Sequence, residues 1–182
     1  MTKRTEDDEV AQRPDRPPGI LVKTLQKGKA ARVHRVLSKT TEADKTHSGL
    51  LSHALYGRVK KDYSPVDDIR KGLPASSVLH LARTLRTTEH DLLPIIGMSD
   101  RTLQRRRKEK KPLDPVESDR LYRLAKTYAR ANEVFENEDV ALDWLKSANR
   151  SLGSIPLLLL DTEAGTDMVE RVLTRIEHGV YS

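Results

Sequence analysis

The side chains best placed for chemistry lie between Ser99 and Lys111, and the chemistry they suit is the holding of phosphates and the reading of base edges. Seven Lys/Arg stand between Arg101 and Lys111 against Glu109 alone, a net +6 that equals the formal net charge of the whole 182-residue chain. At about 100° per helical residue, Arg101, Gln104, Arg105 and Lys108 share one face while Leu103 points the opposite way. Ser99 suits the N-cap and heads the DNA-facing set. Arginine matches guanine and glutamine matches adenine in the major groove, so Arg101, Gln104 and Arg105 are the expected base readers. Thr102, Arg106 and Lys108 are the expected phosphate holders. A solvated basic helix with no ligand is the alternative that any Lys/Arg run carries.

Other chemistry is poorly provided for. The histidines, at 34, 47, 53, 80, 90 and 178, include no i, i+4 pair, and there is no cysteine, so we expect no metal site, no thiol nucleophile and no disulfide framework. Carboxylates cluster at 7–9, 67–68 and 136–139, in a tail or at helix starts, where acids oppose the helix dipole. Ser76, Ser77 and Ser118 have no local base or glycine elbow. The expectation is a protein without catalytic residues or cofactor. Trp144, the single tryptophan, reads as core. Aromatic residues make up only 4% of the chain, too few for the stacking platforms that single strands use. Together with a pI near 9.5, that scarcity favours duplex DNA.

The elements that must position the basic helix are also legible. Leu92, Leu93, Ile95 and Ile96 form a short apolar helix ending at Gly97, so residues 89–111 read as helix, glycine turn, basic helix, the order of a helix-turn-helix. Thr88 and Asp91 resemble a capping box; a helix starting at Glu89 then contains Pro94, which removes one backbone bond, whereas a helix capped by Asp91 holds Pro94 in its first turn. Ala75 to Arg86 carries a Val78, Leu81, Ala82, Leu85 stripe. Pro65 to Lys71 makes a short helix stopped by Gly72. Asp114, Pro115 and Glu117 open a long helix with Leu121, Leu124, Ala125, Tyr128 and Ala129 inward. Asn137 caps the next, Asn149 to Gly153 turns, Pro156 opens an apolar helical turn, and Thr166 to His178 forms a last helix before Gly179. The fold class is all-α, divided into a basic, flexible arm over 1–46, a helical domain over 47–131 containing the motif, and a C-terminal helical domain over 132–182. Within the arm, residues 20–39 could form a basic helix or remain disordered. The N-terminus has no apolar stretch of a secretory signal and no run approaches membrane-spanning length, so a cytoplasmic protein without membrane contact is expected.

Two stretches resemble the Xre/MbcA/ParS antitoxins that partner RES-domain toxins. One is Ser99-Asp100-Arg101-Thr102-Leu103-Gln104-Arg105-Arg106 followed by Leu113, Glu117-Ser118-Asp119-Arg120-Leu121 and Leu124-Ala125. The other is Ala141, Trp144-Leu145, Asn149, Leu152-Gly153, Pro156-Leu157, Leu160, Thr162, Gly165, Val169, Leu173, Ile176 and Gly179. The resemblance covers about residues 69–182 and leaves the arm outside it. It implies an all-helical, non-enzymatic repressor and antitoxin, a homodimer or higher assembly. Its partners would be double-stranded operator DNA and a RES-domain toxin that consumes NAD by ADP-ribosyltransferase-like chemistry. It further implies that the extreme C-terminus, here Val180, Tyr181 and Ser182, reaches the toxin's active-site cleft. Two alternatives stand beside this reading: a stand-alone transcriptional regulator whose C-terminal half dimerises, and a protein-binding adaptor with a vestigial motif.

Overall fold

The computed structural model describes residues 47–179, so the expectations for the arm over 1–46 and for Val180, Tyr181 and Ser182 fall outside the described residues. The described residues are helical: α1 (His47–Tyr56), α2 (Pro65–Lys71), α3 (Ser77–Thr84), α4 (Glu89–Ile96), α5 (Asp100–Glu109), α6 (Pro115–Phe135), α7 (Glu138–Lys146), α8 (Pro156–Leu159) and α9 (Glu163–Glu177). An isolated antiparallel bridge between Asn149 and Ser154 closes the turn before α8.

The axis of the molecule is α6. Its start is set reciprocally: the Asp114 carboxylate accepts from the Glu117 N–H at 2.8 Å, the Glu117 carboxylate accepts from the Asp114 N–H at 2.9 Å, and Pro115 takes the first turn, where no amide is needed. Helices α1, α2, α4, α7 and α9 all pack on it. Leu121, Leu124, Ala125, Tyr128, Ala129 and Ala131 are the buried contacts. One hydrophobic cluster runs from Leu51 through α6 to Leu173, so the two halves of the chain share a core. The boundary expected between 131 and 132 therefore falls inside a single continuous helix.

Two local outcomes bear on function. The Thr88–Asp91 capping box forms and α4 starts at Glu89, so Pro94 does lie within the helix. The proline is exposed and only two helical residues follow it, which leaves the His90 carbonyl deprived of its bond on the solvent side, where water can serve it. The last helix begins at Glu163, three residues before the expected Thr166, because the Thr162 hydroxyl accepts from the Gly165 N–H at 3.1 Å and caps it. Among the described residues no helix is long and apolar enough to cross a membrane.

Candidate nucleic-acid interface and toxin-binding half

The helix-turn-helix consists of α4, the turn at Gly97 and α5. Gly97 adopts φ +73°, the left-handed region, and its N–H bonds back to the carbonyls of Leu93 and Pro94. A side chain there would be strained, so glycine is what permits the tight turn. Met98 then tucks inward and Ser99 caps α5, its hydroxyl accepting from the Thr102 N–H at 3.2 Å. Leu103 is fully buried and is the single apolar anchor of α5.

Charged struts add to that anchor. Arg107 forks onto Glu89 at the head of α4, with one bond at 2.9 Å and a second to the other carboxylate oxygen, and this pairing holds its guanidinium pKa above the usual arginine value. Arg106 donates to the Pro112 carbonyl at 2.8 Å and reaches Glu117 at 2.9 Å and Asp114 at 3.3 Å. These two arginines tie the inward side of α5 to α4 and to the start of α6. The expected phosphate role of Arg106 is therefore not supported by its placement: its head group is committed within the fold and its side chain is 20% exposed. Helical phase held the clue, since Leu103, Arg106 and Arg107 stand at i, i+3 and i+4 and so share the buried face.

The opposite face is open. Arg101, Gln104, Arg105 and Lys108 are all exposed, and none makes a hydrogen bond or ion pair with another described residue. The structure thus brings together the expected base readers and Lys108 on one solvent face. Ser99 and Thr102 lie at the head of that helix, their hydroxyls 3.0 Å apart. Asp100 is paired with His90 at 2.9 Å, a contact that sequence reasoning missed because the two residues belong to different helices.

The second half has the opposite electrical character. Residues 64–126 carry 14 Lys/Arg against 9 Asp/Glu, whereas residues 130–179 carry 5 against 10. Helix α7 packs on α6 through Ala141, Leu142 and Leu145, and half-buried Trp144 meets Phe135 with ring centroids 5.6 Å apart. Helix α9 lies against α6 and α8, burying Val169 and Leu173. Gly165 is required at the α8–α9 approach, because a Cβ there would stand 1.9 Å from the Leu159 carbonyl oxygen. Two arginines tie this half down. Arg86, after α3, reaches Asp139 at 2.5 Å and Glu138 at 3.6 Å at the head of α7, and Arg130 of α6 forks onto Glu177 at the end of α9.

Fold and site together define a helix-turn-helix protein with a free cationic face and a second, acidic helical unit built on the same long helix. The Xre-like helix-turn-helix domain of antitoxins matches residues 64–126, and the Xre/MbcA/ParS C-terminal toxin-binding domain matches residues 130–179. The chain is similar to the antitoxin Xre of Photorhabdus laumondii, 33% identical over 116 residues that make up 63% of this chain and 78% of that protein. It is also similar to the antitoxin Xre of Yersinia enterocolitica, 31% identical over 121 residues covering 64% of this chain and 80% of the relative. A Prs ADP-ribosylating antitoxin of Sphingobium is 26% identical over 132 residues, 65% of this chain and 83% of that protein. The chain belongs to the Xre antitoxin family.

Proposed function

We propose that this antitoxin neutralises a RES-domain, NAD-consuming toxin by occupying its active-site cleft, and represses its own operon through α4 and α5. The observation that carries the DNA-binding part is the two-sided build of α5. Leu103, Arg106 and Arg107 fix the helix from within, leaving Arg101, Gln104, Arg105 and Lys108 unpaired on the outer face. In this reading Arg101, Gln104 and Arg105 read bases, Lys108 and the Ser99–Thr102 hydroxyls meet phosphates, and Arg106 is a strut. The locked inner side holds the reading face in place, which reduces the ordering cost of binding.

For the toxin, the support is the match to the toxin-binding domain and the position of Gly179, whose left-handed φ of +66° ends the chain of helices just before Val180, Tyr181 and Ser182. Tyr181 and Ser182 among them offer hydroxyls, groups suited to a polar cleft that holds phosphates. The Sphingobium relative, named for ADP-ribosylation, is consistent with a partner of NAD chemistry. The protein acts by binding and not by catalysis, in the cytoplasm, as a homodimer or larger assembly. The test is a pair of measurements on the full chain: a gel shift with the DNA upstream of its own gene, and co-purification with the product of the adjacent gene. Binding of both supports the reading; an upstream DNA that does not shift removes the repressor role, and an adjacent product that is not retained removes the toxin.

A further inference from the structure

The C-terminal end of α4 is served from another helix. Its last turn holds no basic residue, so nothing on α4 itself answers the negative end of the helix dipole. The cation comes from α6. Arg120 donates from Nη1 to the Ile96 carbonyl at 3.3 Å, one of the last-turn carbonyls that a helix leaves without an amide of its own. A Cβ at Gly97 would stand 2.0 Å from that nitrogen. Glycine at 97 therefore serves twice, permitting a φ of +73° and leaving room for a guanidinium against the turn. Three residues earlier on α6, Glu117 receives Arg106 of α5 at 2.9 Å. Glu117 and Arg120 are neighbours at i and i+3, and each grips one helix of the motif. Ile96 is fully buried and Arg120 partly so, which places this grip within the packed junction of α4 and α6.

We propose that Arg120 is a positioning residue for operator reading: by holding the end of α4 and the turn at Gly97 against α6, it sets the angle at which α5 presents Arg101, Gln104 and Arg105 to the bases. This rests on the reading of α5 as the helix that meets DNA. Arg120 itself is turned into the fold, with its terminal nitrogen at the Ile96 carbonyl, and acts through the turn. Only Gly97, Met98 and Ser99 join α4 to α5, and α5 buries a single residue, Leu103, so a tilt at Ile96 passes directly into the reading helix. Hydrogen bonds to base edges weaken steeply when misaligned, whereas attraction to the phosphate backbone depends on charge and tolerates a tilt. Loss of Arg120 therefore separates the two components of binding: sequence preference falls and charge-driven affinity stays.

The experiment compares the full chain with its Arg120→Met and Arg120→Lys variants by fluorescence anisotropy. Two duplexes of equal length are used at one salt concentration: the DNA upstream of the gene and a scrambled sequence of the same base composition. Arg120→Met keeps the apolar stem and removes the charge and the donor. It is expected to weaken binding to the upstream duplex about tenfold and to the scrambled duplex by less than about twofold, with the melting temperature lowered by no more than about 4 °C. The contact is a single bond to one carbonyl, which an ammonium can also make, so Arg120→Lys should restore upstream binding to within about threefold of the unchanged chain. Equal weakening on both duplexes marks a phosphate contact and overturns the positioning role, as does full upstream affinity in Arg120→Met. Upstream binding that lysine does not restore, or that is lost together with a larger fall in melting temperature, reduces Arg120 to structural support and also overturns it. An unchanged chain with no preference for the upstream duplex overturns the reading of α5 beneath the proposal, and the proposal with it, before any variant is compared, so the two failures are distinguishable.

Discussion

The helix-turn-helix and the C-terminal half hang from one helix, α6, yet they expose opposite things. The first carries an excess of five cations and leaves a row of them unpaired on α5; the second carries an excess of five acids and ends in a clamped helix. A polyanion is favoured by the charge of the first range and disfavoured by that of the second. The halves differ in how they are fastened as well. Helix α5 has one buried apolar residue and depends on Arg106 and Arg107, whereas α9 buries Val169 and Leu173 and needs an ion pair only at its end. A reading helix must keep most of its surface for its ligand, and charged struts hold it without using the outer face.

The contrast can be broken most severely at Gly165. Gly165→Ala drives a Cβ into the Leu159 carbonyl, and we expect a loss of about 3 kcal/mol in denaturant unfolding, with toxin binding lost before operator binding. Simultaneous loss of both would show that the halves cannot be separated even functionally. The mirror experiment is Leu103→Ala, which empties the only apolar anchor of α5. It should cost about 3 kcal/mol and abolish the gel shift, while calorimetry still detects the toxin.

Neighbouring arginines sharpen the point within α5 itself. Arg106→Ala uncovers Glu117, whose side chain is 11% exposed, and should cost about 2 kcal/mol of stability without changing base preference. Arg105→Ala should leave stability within about 0.5 kcal/mol and relax preference at one base position by about 1–3 kcal/mol, measured with operator variants. Exchange of those two outcomes would invert the assignment of faces.

The smallest effect concerns pH. Burial, with help from Arg83 and His53, lowers the pKa of His80 below its ordinary 6.5. The folded state thus favours the neutral ring, and its contribution is fully present above 6.5 and lost as pH falls through that value toward the lower folded pKa. Melting temperature should decline between about pH 7 and 5, and His80→Gln should flatten that slope. Since His80 packs in the first half, beside the Gly57 backbone, toxin affinity should not follow the slope.

Much of this was legible in the sequence because it depends on local rules. The capping residues at Thr88, Ser99, Asp114 and Asn137, the turn at Gly97 and the outward phase of Arg101, Gln104, Arg105 and Lys108 follow from spacing within one or two helical turns. What escaped depends on partners distant in the chain. Glu89–Arg107, Arg86–Asp139 and Arg130–Glu177 join residues 18, 53 and 47 positions apart, and no periodicity announces them. The charge of Arg106 suggests a DNA contact, whereas its i+3 spacing from Leu103 places it inward. The start at Glu163, in place of the expected Thr166, depends on the Thr162 cap and on the close approach of Gly165 to Leu159, which joins two elements.

If DNA is read at α5 and the toxin is met by residues 180–182, the two activities of one core can be separated by a single truncation. Operator affinity and toxin neutralisation are measured side by side for the full chain and for the chain ending at Gly179, with operator affinity expected to be unchanged and protection in co-expression lost. Full protection by the truncated chain, or loss of operator binding along with protection, would contradict that separation.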